Sequence, residues 1–410
     1  MRDTMSATGI STRPVLPLVF VATLTSIMGN SLLAPLIPDI LDTFDRSDGS
    51  AGLLVAAASL PGIVMAPVIG LLADRFGRRP VLAPCLFVFG VAGIFVATAP
   101  SFEVMLVARF CLGVGAAGLV NLAVVLITDH FDGDARTHWI GANSGVLTVA
   151  LATLPVVSGA IAAVAGWRWA LAPLSLGVVS AAYAWRILPP GRPERQVSFR
   201  EQLAGARQAF TDPAIRTSVV AAGVGFAVIF GVFLAALPTH LDDEFGLSAW
   251  GRGIVFGLPA VTASLAAFNL GRLRRRVGVD TVLIVAAVAW TSSFVLMGLA
   301  GSLVVLAIGA LVYGIAEGAL IPTLQDGAMS RAPSDQRAAV MAGWTAMARA
   351  GQTTGPLVAG LLLAGPGSSA ALLSGAVGAG LLVVLFALRP VGRGVDAARE
   401  PDAGGENTAH

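Results

Sequence analysis

The chain has 410 residues, 56% of them hydrophobic and only 12% charged, with a formal net charge of +2. Soluble domains carry about 25% charged residues, so this composition excludes a soluble enzyme or binding module and predicts an integral membrane protein. The net charge says little; the placement of the charges says more.

Residues 1–13 are polar and lack the apolar core and small-residue cleavage site of a signal peptide, so the first apolar run is expected to be its own insertion signal. Apolar runs recur at 15–37, 51–73, 80–98, 103–127, 140–164, 169–188, 217–238, 250–270, 281–300, 303–324, 338–363 and 369–388. Each approaches the ~20 residues that a helix needs to cross a bilayer. The reading is an all-α membrane protein with twelve transmembrane helices and both termini on one side.

There is no lysine, so all 26 basic residues are arginine. Arg46, Arg168 and Arg252 fall on the far side, and Arg109 and Arg349 lie within helices. All the others sit with the termini, in alternate loops and in the polar linker, which by the positive-inside rule places both termini in the cytoplasm of a cell-membrane protein. The opposite loops are acidic, with Asp39, Asp42, Asp45 and Asp48, then Asp242, Asp243 and Glu244. Cys85 and Cys111 lie in apolar runs and are not expected to pair. No Cys/His group has metal-ligand spacing, and no cofactor is expected.

The sequence also repeats. A shift of 201 residues lays 271–278 on 70–77, Gly314 on Gly113, Pro356 on Pro155 and Gly360 on Gly159. The expected organisation is a segment 1–14, a six-helix bundle 15–188, a cytoplasmic linker 189–216, a second bundle 217–388 and a disordered tail 389–410. Residues 195–210 have the composition of a short amphipathic helix.

Between the second and third runs, 70–79 read GLLADRFGRR. Asp74 ends a helix there, where the backbone dipole disfavours an anion, so it needs a compensating partner. Gly70, Leu72, Asp74, Arg75, Gly77, Arg78 and Arg79 match a pattern that resembles the signature loop of the major facilitator superfamily. In the second half Arg275 stands where Asp74 stands in the first, so a switch based on an acid in this turn is confined to the first half. Arg109, Gly113, Gly115 and Ala117 are similar to the family's fourth-helix motif, whose arginine is associated with proton transfer. In the fifth helix, Pro155 and Gly159 lie in LPVVSG, which is partly similar to the family's antiporter motif. Gly355, Pro356 and Gly360 stand in the mirrored eleventh helix. Proline frees a helix carbonyl and glycine permits close approach, so both runs suit tightly packed gate helices.

Charges inside the hydrocarbon region are costly and mark functional sites. Glu317 and Arg349 fall near the middle of the tenth and eleventh helices, and a buried pair between them is expected. Burial disfavours a charged carboxylate, which suits Glu317 to bind and release a proton. The proton-coupling candidates are therefore Glu317, Arg109 and Arg349. Asn30, Asn121, Phe230, Gln325, Asp326 and Gln352 are candidates for a substrate cavity, and Phe226, Phe230 and Phe233 share one side of the seventh helix. Asp39 and Asp129 fall near helix ends, where solvent contact is expected.

The resemblance covers 15–389 and implies two bundles that rock about a midplane site. It implies a transporter acting as a monomer in the lipid bilayer, with a small-molecule substrate and protons as partners and no nucleic acid. Its first-half motifs look most like the drug/proton antiporter branch, hence export of small organic compounds. Uptake by a proton-coupled symporter or facilitator is the alternative, and a membrane-embedded enzyme or sensor a remote one.

Overall fold

In hydrocarbon only internal hydrogen bonding satisfies the backbone, and each long apolar run folds as helix. A computed structural model of the chain describes residues 15–190, 210–333 and 336–392. The expectations for 1–14, for a helix over 195–210 and for the end of the tail fall on residues outside these. The first bundle comprises α1 (Val15–Thr43), α2 (Asp48–Phe76), α3 (Arg79–Ala97), α4 (Phe102–His130), α5 (Gly133–Ala165) and α6 (Trp167–Ile187). The second comprises α7 (Pro213–Asp243), α8 (Ala249–Val277), α9 (Val279–Gly298), α10 (Leu303–Arg331), α11 (Arg337–Ala364) and α12 (Ser368–Leu388).

Among the described residues eleven of these helices are long and apolar enough to cross a membrane on composition alone. The twelfth, α11, has the length but carries Arg349, Gln352, Thr353 and Thr354 near its middle. Several helices outrun the apolar stretches that predicted them. α5 begins at Gly133, because the polar turn containing Asp134 and Arg136 continues the helix beyond the apolar segment. Irregularities follow local chemistry. Pro35 opens a 3-10 turn in α1, α2 breaks at 60–61 beside Pro61, and α7 is π-helical over Val228–Ala236.

The shift of 201 residues is a structural symmetry. A Cβ on Gly113 would overlap the Ala58 carbonyl beside Pro61; one on Gly314 would overlap the Pro259 carbonyl beside Thr262. Each α4 or α10 glycine thus seats its helix on the backbone of α2 or α8, where a side chain would hold them apart. The two bundles then meet through equivalent pairs. Gly52 of α2 lies on the Pro356 carbonyl of α11, and Gly253 of α8 lies on the Pro155 carbonyl of α5.

These contacts lie toward the end of the molecule that carries Asp39, Asp42, Asp242 and Asp243, the acidic end. There one apolar core takes residues from both bundles, including Leu36, Leu54 and Val96 of the first and Ala236, Ala249 and Leu363 of the second. At the opposite, arginine-rich end the cores are separate: Leu82, Leu122 and Leu126 belong to the first bundle, Ile215, Val340 and Trp344 to the second. The halves are therefore closed together at the acidic end, whereas at the basic end each keeps its own core. Outward-facing apolar side chains such as Phe268, Leu361 and Val377 are exposed, as a lipid-facing surface requires.

Candidate substrate and proton site

The turn after α2 is tied to its own bundle. Gly77 caps the helix with φ of 90°, a conformation that glycine adopts without strain. Arg78 donates to Asp74 at 2.7 Å and to Asp129 of α4 at 3.0 Å. Burial alone would weaken the charge on Arg78, but its hydrogen bonds to Asp129 and Asp74 outweigh this and hold its pKa above the ordinary arginine value. Arg75 lies over Phe76, Arg79 lies 4.5 Å over Trp185 of α6, and Gly70 has nothing against it. The partner Asp74 requires is thus Arg78. Asp129 is not simply solvated at its helix end; it is the strut between this turn and α4. In the second bundle Arg274 performs the equivalent task, donating to Asp326 at 2.6 Å and to Thr323 at 3.2 Å. Asp326 therefore sits at the exposed basic end in an ion pair and does not line a midplane cavity.

Arg109 is fully buried, and its guanidinium meets only neutral acceptors. It donates to the Leu54 carbonyl at 2.9 Å, the Gly29 carbonyl at 2.5 Å and Asn30 Oδ1 at 2.8 Å. A planar fork of donors collects these carbonyls from α1 and α2. Asn30 is thereby drawn into this cluster. Asn121 is exposed on α4, while Leu119, Leu122 and Ala123 of that helix are buried.

Glu317 and Arg349 do not form the expected ion pair. Although α10 and α11 are consecutive, α11 packs on α7 and α2 instead: Gly351 and Gly355 seat on Gly223 and Ala227, and Pro356 on Gly52. α10 packs on α8 and α9. Arg349 donates to Gln352 at 2.9 Å and lies against Gly62 of α2 in the other bundle. Among the described residues Glu317 has no hydrogen-bond or ion-pair partner. Gln325 contacts Met341 Sδ at 3.6 Å. The three phenylalanines divide as well, since π-helical α7 alters their register. Phe233 stacks on Tyr313 at 4.2 Å inside the second bundle. Phe226 and Phe230 adjoin at 6.3 Å, with Phe226 edge-on to Trp344, and Phe230 touches both the second bundle's core and the shared one.

The closure at the acidic end is the feature that sequence reasoning missed. Arg252 of α8 is 1% exposed and donates to the Pro35 carbonyl at 2.8 Å, the Leu247 carbonyl at 2.9 Å, Asp242 at 2.5 Å, and Asp39 of the other bundle. Asp39 thus keeps the solvent contact expected of its helix end and is also a cross-bundle partner. The signal available was a rare far-side arginine among acids, which a reading by loops leaves unpaired. Gly159 on Ala249 and Trp250, and Gly360 on Gly49, complete the same closure.

Two six-helix bundles that close on each other at one end and keep separate cores at the other have the form of a membrane transporter. The chain belongs to the Major Facilitator Superfamily, whose profile matches residues 19–278 and again 220–407. It is 24% identical over 258 residues to a bacillibactin exporter of Bacillus subtilis (strain 168), covering 60% of this chain and 63% of that one. Over 141 residues it is 35% identical to a class C tetracycline resistance protein of Escherichia coli, covering 33% and 35%. The chain thus spans less than two thirds of the length of these curated relatives. The solved nucleoside transporter NupG superposes with a TM-score of 0.75 at 16% identity, covering 92% of this chain and all of that one, a likeness of fold.

Proposed function

We propose that the protein exports small organic compounds from the cell in exchange for protons. The observation that carries this reading is Glu317, an acid in mid-helix with no partner among the described residues to hold its charge. The separate cores at the basic end support a crevice between the bundles for it to open into. Such a group is stable in the crevice only when a proton or a positively charged ligand group occupies it. Arg349 and Gln352 stand on α11, hydrogen-bonded to each other, with Arg349 against α2 of the other bundle. Arg109, whose acceptors among the described residues are all neutral, braces α1, α2 and α4 and stands with Glu317 in the proposed proton coupling. The basic end is cytoplasmic by its arginines, so the conformation described opens inward. Segments 15–188 and 217–388 rock as a single-chain transporter of the cell membrane, with the linker 189–216 between them. The Asp74–Arg78–Asp129 strut keeps the switch turn with its bundle during that motion. Exporter and resistance-protein relatives support the outward direction.

The direction is tested in cells. Expression should lower the accumulation of a transported compound, and dissipating the proton gradient should restore it. Raised accumulation on expression contradicts export and favours uptake.

A further inference from the structure

The mid-membrane region holds two charges of opposite sign that do not neutralise one another. Glu317 lies two residues from Ile315 on α10, ~200° around the helix, and Ile308 and Ile315 are half exposed to the lipid side. Its carboxylate therefore faces inward. Arg349 is nine residues from the lipid-facing Val358, ~180° around α11, and shares its face with Pro356, which meets the other bundle. Its guanidinium rests against Gly62 and spends one of its five N–H donors on Gln352. Its Nε and Nη2 make no hydrogen bond among the described residues. Phe226, Phe230 and Trp344 form an aromatic cluster between α7 and α11, the helix that carries Arg349.

We infer that the compound carried is dipolar, holding an acidic group against Arg349 and Gln352 and an amino group against Glu317. This inference rests on the reading of the crevice as the substrate site and names the class of compound it takes. Isolated charges in an apolar crevice are costly, and the fold keeps these two on helices that pack away from each other. A ligand with one charge would leave the other side chain uncompensated. A ligand with both would neutralise each, and the aromatic cluster would take the body between them. The proton competes only at the Glu317 end, because arginine keeps its charge. Binding of the amino group and binding of the proton then exclude each other, as exchange requires.

The test is equilibrium binding to the full-length protein in detergent, with no gradient present. The probes are 4-(aminomethyl)benzoate, its methyl ester (cation only), 4-methylbenzoate (anion only) and methyl 4-methylbenzoate (neutral). The same four are then used on a biphenyl frame, which changes the charge spacing. At one spacing or the other the dipolar probe should bind roughly 10-fold or more tightly than either singly charged one, as charge-assisted hydrogen bonds warrant. Arg349→Gln should lower it to the level of the cation, and Glu317→Gln to that of the anion. The wild-type series needs no variant to fold. If at both spacings a singly charged or neutral probe binds as well as the dipolar one, or no dipolar probe binds, the inference is overturned. A dipolar preference in a protein that moves no protons would instead sink the exchange reading and leave this site standing.

Discussion

Arg252 and Asp39 stand 213 residues apart in sequence and in direct contact across the boundary between the two bundles. Arg252 is almost wholly buried and also holds Asp242, whereas the two acids keep part of their surface toward water. The latch therefore exists only while the acidic end is closed. In an alternating-access cycle it must break each time the protein opens the other way.

Removing Arg252 should accordingly favour the opposite conformation. Arg252→Ala forfeits the buried pairs at a cost of roughly 2–3 kcal/mol to the closed state, below the value for fully buried pairs because both acids are partly solvated. A cysteine placed at Ala249, buried in the closed interface against Gly159 of α5, reports this through labelling by a membrane-impermeant maleimide. Labelling should rise in the Arg252→Ala background. Unchanged labelling would show that the latch does not govern closure.

The paired glycines make a second, symmetric prediction. A Cβ at Gly52 or Gly253 would push against the Pro356 or Pro155 carbonyl, so each alanine substitution should destabilise the described conformation by about 1–3 kcal/mol. Thermal unfolding of Gly52→Ala and Gly253→Ala should show similar losses. Gly70→Ala, where nothing lies nearby, should stay within about 0.5 kcal/mol of wild type. Equal midpoints for all three would contradict the packing argument.

Much of this symmetry was readable in the sequence. The shift of 201 residues that paired Gly113 with Gly314 and Pro155 with Pro356 also pairs their contacts, because each glycine or proline marks a backbone approach that the fold makes twice. The turn at Asp74 was readable for the same reason, as a helix end with an anion needs a cation one turn away. The pairing of Glu317 with Arg349 was inferred from consecutive helices. It failed because small residues on α11 select α7 and α2 as packing neighbours. Asp326 reads as a polar residue of an otherwise apolar helix, yet α10 extends to Arg331, and its last turns reach the basic end. Contacts such as Arg252 with Asp39 join residues with no local pattern linking them, and only the assembled bundles bring them together.

Arg109 should behave as a brace. Arg109→Ala leaves two buried carbonyls and Asn30 without donors, at a cost of roughly 3 kcal/mol or more. Arg109→Lys should rescue little, since an ammonium lacks the planar fork that reaches three acceptors. The check is the thermal midpoint of each purified variant. Near-wild-type stability of Arg109→Ala, with proton coupling lost, would make Arg109 a proton-pathway residue.

The strut at the basic end should be unequal in its two arms. Asp129 is more sheltered than Asp74, whose pairing with Arg78 is an exposed contact within one turn of chain. Exposed pairs of that kind give ~0.3–0.5 kcal/mol, so Asp129→Asn should loosen the 74–82 segment more than Asp74→Asn. Hydrogen exchange of that segment reads the difference directly. Faster exchange in Asp74→Asn than in Asp129→Asn would reverse the assignment.

The central claim, exchange of a proton at Glu317 for an organic compound, is tested most directly in acid-loaded inverted vesicles. A pH-sensitive dye reports proton release when a compound is added, with wild type and Glu317→Gln measured side by side and the membrane potential clamped. Transported compounds should release protons from wild-type vesicles and not from Glu317→Gln vesicles, although the variant still inserts. Equal release from both would remove Glu317 as the carrier. Transport of a compound by wild type with no proton release would contradict proton exchange itself.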